Sequence, residues 1–181
     1  LPVESQLARK LPEHLNAEVV SGAVQSLEDA ARWLSYTYLF VRALKDPDRY
    51  GATRHAEDGD DHLDQWRVDL AHAAALVLDR AQLVRYDPHT GTLASTALGR
   101  VASHYYLSPT TMVSFASLLE PNVSDVDLLR VLAAADEFKN VVVRPEERLE
   151  LERLLERVPI PIKEAVDDPV SKVIALLQAY I

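Results

Sequence analysis

Residues 83–107 constrain the fold of this chain most, because this one stretch predicts a two-stranded hairpin followed at once by a helix. Two short runs of alternating apolar and polar residues flank a turn that contains Asp87, Pro88 and Gly91, a pattern typical of a β-hairpin. The residues expected to face each other across the turn are Val84 and Tyr86 on the first strand and Leu93 and Ser95 on the second.

The helix after the hairpin can be capped by Ser95 or Thr96, and its apolar residues recur every three or four positions from Leu98 onward. This spacing predicts that Val101, Ala102 and Tyr105 face the core. A longer amphipathic helix is expected over residues 61–82, with a buried face made of Leu63, Trp66, Leu70, Ala73, Ala74, Val77 and Ala81. The order helix, hairpin, helix predicts a mainly α winged-helix domain with a small β-hairpin wing.

Two helices are expected before this core. Residues 4–20 form the first, and Gly22 suits its end. Ser26 and Asp29 have the spacing of a capping box, with Asp in place of the usual Glu. From Ser26 one uninterrupted helix is predicted to about Asp46, with an apolar stripe made of Leu27, Ala30, Trp33, Leu34, Thr37, Phe40, Val41 and Leu44.

Four more helices are expected after residue 107, over residues 109–120, 125–137, 146–157 and from Asp168 to the last residue. The last of them keeps an apolar face as far as Ile181, without a glycine or a basic residue that would end it. We therefore expect the chain to be a truncated piece of a longer polypeptide.

Composition excludes several classes of protein. The chain has no cysteine, so disulfides and cysteine-ligated zinc are excluded, and no apolar run approaches the length of a membrane span. A net charge of -9 disfavours broad phosphate binding. The exposed side of the helix over residues 61–82 is also rich in Asp, which makes it a poor reader of a DNA groove.

Enzymatic sites are not indicated either. The five glycines have neither the spacing of a phosphate-binding loop nor that of a dinucleotide fingerprint. We therefore expect no catalytic residue, no bound cofactor and no enzymatic activity in this chain. One acidic stretch contains metal-ligating residue types, but we interpret it as a solvated loop and expect no metal there; its members are His55, Glu57, Asp58, Asp60, Asp61 and His62.

The wing region is the one locally basic zone, and it carries the candidate contact residues Arg85, Arg100, His104 and Tyr106. Arginines there can bind phosphate, and exposed aromatic rings can stack on bases. A core position for the aromatic residues is the competing interpretation. We therefore expect RNA or another protein domain to contact these four residues, if they are exposed.

Several segments resemble, in order and spacing, the region after the second RecA-like domain in two-cassette DExH-box RNA helicases of the spliceosome. These segments read LPVESQLARKLPEHLNAEVV, WLSYTYLFVR, LVRYDPHTGTL, STALGRVASHYYLS, EFKNVVVRPEERLELERLLERVPIPIKE and LLQAYI. The run ERVPIPIKE is most similar to the first, active cassette.

The resemblance implies a winged-helix domain with an N-terminal connector helix over residues 1–107, then the N-terminal part of the ratchet helical bundle over residues 108–181. It further implies a non-catalytic module that braces RecA-like domains and helps enclose an RNA strand, in a nuclear parent that uses ATP and Mg²⁺ to unwind the U4/U6 duplex. Expected partners are those RecA-like domains, the rest of the bundle, small nuclear RNA and spliceosomal proteins, but no membrane. An independent nucleic-acid-binding winged helix and a protein-interaction scaffold remain open alternatives.

Overall fold

The computed structural model describes residues 3–52, 60 and 62–181. Within this part the chain forms a two-stranded sheet and nine α-helices. The helices are α1 Leu7–Ser21, α2 Leu27–Leu34, α3 Tyr38–Lys45, α4 Asp64–Arg80, α5 Ala97–Tyr105, α6 Pro109–Leu118, α7 Asp125–Ala133, α8 Arg148–Leu155 and α9 Pro169–Tyr180. The strands are β1 Val84–Asp87 and β2 Thr92–Ser95, and short 3-10 turns cover Asp48–Tyr50, Asp136–Phe138 and Pro145–Glu147.

The chain divides into two compact units, residues 1–109 and 110–181. In the first unit α1 packs against α4, α5 and β2, and α2 packs against α4. The order of helices around the hairpin confirms the predicted mainly α winged-helix fold.

The hairpin has the predicted register. Val84 pairs with Ser95 and Tyr86 with Leu93, and both tyrosine and leucine are buried. The segment before α2 pairs with β2, because the amide of Leu93 donates to the Gln25 carbonyl over 2.8 Å, and the amide of Leu27 donates to the Gly91 carbonyl over 2.8 Å. The wing is therefore fastened to the domain along β2 as well as through β1.

The single helix predicted from Ser26 to Asp46 is wrong, because the structure breaks it into α2 and α3. The hydroxyl of Ser35 donates to the Arg32 carbonyl over 2.6 Å, and that of Thr37 donates to the Leu34 carbonyl over 2.7 Å. Thr37 also caps α3 by accepting a bond from the Phe40 amide. Short polar side chains thus compete with the helical ladder at this point.

The buried face of α4 differs in part from the predicted one. Trp66 and Ala74 are buried as expected, but Ala73 is exposed and Val77 is 44% exposed. The packed side is centred on Leu78, with Ala71 and Ala75 beside it. An alanine-rich helix carries apolar residues on two sides, so contact with α1 and α2 decides which side is buried.

Glu4 anchors the segment that leads into α1. Its carboxylate accepts bonds from Arg42 over 3.0 and 3.2 Å and from the Tyr50 hydroxyl over 2.7 Å, and Arg49 lies 3.2 Å away. The hydrogen bond from Arg42, followed by that from Tyr50, lowers the pKa of Glu4 below its ordinary value. This cluster joins the start of the chain to α3 and to the 3-10 turn over Asp48–Tyr50.

The second unit has its own apolar core, and its helices are shorter than predicted. The helix expected over residues 125–137 ends at Ala133, and the Asp136 amide donates to the buried hydroxyl of Thr111 over 2.9 Å instead of continuing the helix. The residues that pack together in this core are Leu129, Ala133, Val173 and Ile174, with Phe138, Val141, Ile160, Ile162, Val170 and Leu177 around them.

The segment between α8 and α9 is held to α9 by a side-chain amide. Gln178 accepts a bond from the Ile160 amide over 2.7 Å and donates one to the Ile160 carbonyl over 3.0 Å. The predicted start of α9 is confirmed, since Asp168 caps the helix through the Val170 amide and Pro169 takes its first position. Arg130 and Glu164 add an ion pair to the same segment.

Candidate interface on the wing and the following helix

The helix α5 begins directly after β2 and is capped as predicted. Thr96 accepts a bond from the Gly99 amide over 2.9 Å, while its hydroxyl lies within donating distance of the carbonyls of Gln82 and Leu83, at 2.8 and 2.9 Å. One threonine therefore ties the start of α5 to the residues that lead into β1. This fixes the helix at its N-terminal end.

Gly99 allows α5 to approach the backbone more closely than any other residue would permit. A Cβ atom at this position would lie 2.0 Å from the Leu83 carbonyl oxygen and 2.9 Å from Oδ1 of Asn16. The Gly99 carbonyl accepts a bond from the Asn16 side chain over 2.9 Å, and Asn16 is only 2% exposed. Sequence reasoning missed Asn16, although its place beside Leu15 on a buried helix face was a signal.

The outer face of α5 is apolar, which corrects the sequence prediction. Val101 is 43% exposed and Tyr105 is 65% exposed, whereas Gly99 and Ala102 form the buried side. The close approach made possible by Gly99 lets small residues face the core, so the larger ones point outward. We call Leu98, Val101 and Tyr105 the apolar edge of α5.

A second edge of α5 is basic. Arg100 and His104 are four residues apart and therefore lie one turn apart on the same side of the helix. The His104 ring meets the Tyr105 ring edge to face, with centroids 4.7 Å apart. An open depression of about 460 Å³ lies between the two edges and is lined by Val20, Arg100, Val101, Ser103, His104 and Tyr105.

The structure places all four predicted contact residues on the surface of the first unit. Arg85 projects from the exposed face of β1, and Arg100 has Nη1 3.5 Å from the Ser95 hydroxyl. Tyr106 follows α5 in the left-handed region with φ 58°, and its side chain is 89% exposed. Arg100 and His104 share one edge, Arg85 lies on the wing, and Tyr106 stands beyond the helix end.

The buried face of the wing is fixed by polar contacts of a different kind. The Tyr86 hydroxyl lies 2.7 Å from Nδ1 of His72, and burial raises the pKa of Tyr86. At the tip, the carboxylate of Asp87 accepts bonds from the His89 amide and the Thr90 hydroxyl, which lower its pKa. These hydrogen bonds connect residues of the wing turn to one another.

The acidic stretch that we interpret as a solvated loop without a metal lies largely outside the described residues. His55, Glu57, Asp58 and Asp61 belong to the part that the structure does not describe. The carboxylate of Asp60 accepts bonds from the amides of two residues at the start of α4, Asp64 and Gln65, as expected for a helix N-terminus. Within the described ranges no three metal-ligating side chains form a cluster.

Two family models match the chain. A model described as a winged helix-turn-helix domain matches residues 4–80, and the Sec63 Brl domain model matches residues 95–181. The U5 small nuclear ribonucleoprotein 200 kDa helicases of Homo sapiens and Drosophila melanogaster are each 51% identical to the chain over all 181 residues. The chain is therefore similar, over its whole length, to one segment of these helicases.

The match covers the whole chain but a small share of each relative. The chain spans 8% of the length of the human and fly helicases, and 8% of a Dictyostelium discoideum protein named activating signal cointegrator 1 complex subunit 3-like, to which it is 48% identical. The Sec63 Brl match begins at Ser95, within the first compact unit, so the domain boundary at residues 107/108 stays a prediction. No helix in the described part of the chain is long and apolar enough to cross a membrane.

Proposed function

We propose that this chain is a non-catalytic module of an ATP-dependent spliceosomal RNA helicase, and that the apolar edge of α5 docks on the RecA-like ATPase domains of the same parent. The observation that carries the proposal is the exposure of Leu98, Val101 and Tyr105 on a helix whose inner side is fixed by Thr96 and Gly99. Contiguous exposed apolar residues on a rigid element are typical of an interaction surface.

The names of the relatives support a helicase as the parent protein of this module. The relatives from Homo sapiens, Drosophila melanogaster and Caenorhabditis elegans are named U5 small nuclear ribonucleoprotein 200 kDa helicase, and one from Arabidopsis thaliana is named a DExH-box ATP-dependent RNA helicase. In the proposed parent, ATP and Mg²⁺ bind outside this chain, the second unit opens the ratchet bundle of the first cassette, and the enzyme unwinds the U4/U6 duplex in the nucleus. The other partners are the rest of the bundle, small nuclear RNA and spliceosomal proteins.

An independent DNA-reading winged helix is the less favoured function. In such domains the helix before the wing reads the major groove. Here the corresponding helix α4 exposes the side chains of Asp64, Asp69 and Asp79. The side chain of Arg67 is largely buried, and it donates a hydrogen bond to the Ala31 carbonyl over 2.9 Å. Negative charge on that surface repels phosphates, so this helix does not complement DNA.

The docking proposal is tested by a charge placed on the apolar edge of α5 in the parent helicase. Val101→Glu is expected to reduce RNA-stimulated ATPase and duplex unwinding at least tenfold, because a carboxylate is costly to bury in an apolar contact. Val77→Glu on α4 is the matched control, since Val77 is exposed to the same extent as Val101, 44% against 43%.

Circular dichroism of the chain carrying Val101→Glu checks that the winged helix still folds. Wild-type activity of the Val101 variant, or an equal loss in the Val77 variant, would contradict docking through α5. If instead a spliceosomal protein co-purifies with this chain in the absence of the RecA-like domains, a scaffold function is favoured. ATP hydrolysis by the chain itself, abolished by a point substitution within it, would refute the non-catalytic role.

A further inference from the structure

We propose that residues 3–5 form a strap, fastened to α3 and to the 3-10 turn after it, that transmits movement of the preceding RecA-like domain to the winged-helix unit. The proposal rests on the proposed function, in which the second RecA-like domain precedes this segment in the parent. It goes beyond docking through the apolar edge of α5, because it concerns the covalent connection between the two domains.

Two tyrosine hydroxyls hold the main chain of the strap. The hydroxyl of Tyr38, in the first turn of α3, donates to the Val3 carbonyl over 2.7 Å. The Tyr50 hydroxyl, in the 3-10 turn, accepts a bond from the Ser5 amide over 3.0 Å. Main-chain groups two residues apart are thus bound to two different elements, which restrains the direction of the strap as well as its position.

The side chain of Glu4 adds the strongest contact. Its carboxylate accepts two bonds from Arg42, over 3.0 and 3.2 Å, and one from the Tyr50 hydroxyl over 2.7 Å. The anchors are themselves part of the folded unit, because the side chain of Arg42 is 11% exposed and the Tyr50 carbonyl accepts a bond from the indole of Trp66 over 3.3 Å. The strap is therefore fastened to rigid elements.

Polar bonds, rather than burial of apolar surface, hold the strap in place. Val3 is 76% exposed, and Leu11 is the first buried apolar residue of α1. Opening of the strap therefore breaks hydrogen bonds but uncovers little of the core. Such a segment can open while the rest of the domain stays folded, because local opening costs less where few apolar contacts are lost.

The length of the strap decides what its opening would do. Residues 3–6 precede α1, and four residues span at most about 13–14 Å when extended. Shifts of packed elements past one another are typically about 1–2 Å, or about 5.4 Å for one helical turn. A released strap could absorb either shift as slack. A fastened strap leaves no slack between Val3 and α1, so the shift is passed on.

Substitution of the two tyrosines tests the strap better than substitution of Glu4. Glu4→Gln leaves the largely buried Arg42 without its carboxylate, which weakens the winged-helix unit itself. Tyr38→Phe and Tyr50→Phe each remove one oxygen atom and keep the ring. Tyr36→Phe is the matched control, because this nearby ring is 83% exposed and lies outside the strap contacts.

Amide hydrogen exchange of the 181-residue chain, followed by NMR, tests whether the strap opens as one piece. Tyr38→Phe removes only the bond to Val3, yet exchange at the Ser5 amide should become at least threefold faster, because the three residues are released together. Tyr36→Phe should leave this rate unchanged. Unchanged exchange at Ser5 in the Tyr38 variant, or equal acceleration by Tyr36→Phe, would overturn the proposal.

The parent helicase tests whether the strap transmits movement. Tyr38→Phe with Tyr50→Phe should lower duplex unwinding at least fivefold while RNA-stimulated ATPase stays within twofold of the wild type, because the ATPase domains still close but their movement is lost as slack. Tyr36→Phe should preserve both activities. A proportional loss of both activities in the double variant would show a general structural defect, and wild-type unwinding would show that the strap transmits nothing; either result refutes the strap.

The strap and the docking surface fail in different ways. Val101→Glu should lower ATPase and unwinding together, whereas the tyrosine variants should separate the two activities. If the double tyrosine variant behaves as the wild type while the Val101 variant is inactive, docking stands and the strap is refuted. If the Val101 variant is fully active, exchange at Ser5 in the chain alone still decides whether residues 3–5 open together.

Discussion

Substituting Gly99 by alanine tests whether the position of α5 depends on close backbone contact. In an ordinary helix this change stabilises, because alanine has a higher helix propensity by about 1 kcal/mol. Here the added Cβ atom would lie 2.0 Å from the Leu83 carbonyl oxygen, which belongs to the backbone and cannot rotate away. The helix must therefore move away from β1 by about 1 Å or more to restore an ordinary contact.

The expected cost follows from two losses and one gain. Overpacking a close contact costs roughly 1–3 kcal/mol. Moving α5 also weakens the 2.9 Å bond from Asn16 to the Gly99 carbonyl, and a buried amide left without its partner costs about 1–3 kcal/mol. After subtracting the gain in propensity, Gly99→Ala should lower the free energy of unfolding by roughly 1–5 kcal/mol.

Tryptophan fluorescence during urea unfolding measures this change, because Trp33 and Trp66 are the two tryptophans of the chain and both lie in the first unit. Ala97→Gly is the matched control, since Ala97 is exposed in the first turn of the same helix and its substitution should cost at most about 1 kcal/mol. If Gly99→Ala proves as stable as the wild type, or more stable, the reasoning about close approach is refuted.

Three further predictions concern Glu4, Trp66 and Gln178. Since the pKa of Glu4 is lowered in the folded state, its ion pair stabilises above the ordinary glutamate pKa of about 4.3 and is lost as the pH falls through the lowered value, so the advantage over Glu4→Gln should shrink in that acid range when urea midpoints are compared. Trp66→Ala should cost about 3–5 kcal/mol in urea unfolding because Trp66 is 4% exposed, and an equal cost for Trp33→Ala, which is only half-buried, would show that the core is misplaced. Gln178→Ala should speed hydrogen exchange at the Ile160 amide, whereas unchanged exchange would show that the side-chain amide is not the anchor.

Local signals in the sequence predicted the elements well where one residue decides the outcome. The turn between Asp87 and Gly91 set the register of the hairpin, and Ser26, Thr96 and Asp168 cap the helices that they were expected to cap. Each of these depends on hydrogen bonds within a few residues. The break between α2 and α3 was not predicted because the apolar stripe runs through it, and only the bonds of Ser35 and Thr37 interrupt the helix.

Which face of a helix is buried depended on contacts that periodicity does not encode. Val77 and Val101 were predicted to be buried and are exposed, in helices whose buried sides consist largely of alanine and glycine. Small residues allow close approach but contribute little to an apolar pattern, so a rule based on large apolar residues selects the wrong face. For the candidate interface, the sequence supplied the basic residues, but the exposure of Val101 and Tyr105 beside them follows only from the fold.

The geometry of α5 connects these observations, because one closely packed inner side holds two outer edges with different properties. Any movement of the helix away from Leu83 would displace Val101 and Arg100 together, although neither side chain takes part in the close contact between Gly99 and Leu83. Gly99→Ala should therefore reduce RNA-stimulated ATPase and unwinding by the parent, as Val101→Glu does, although it leaves the residues of the apolar edge unchanged. Wild-type activity of the Gly99 variant would mean that close packing at Leu83 does not position the apolar edge.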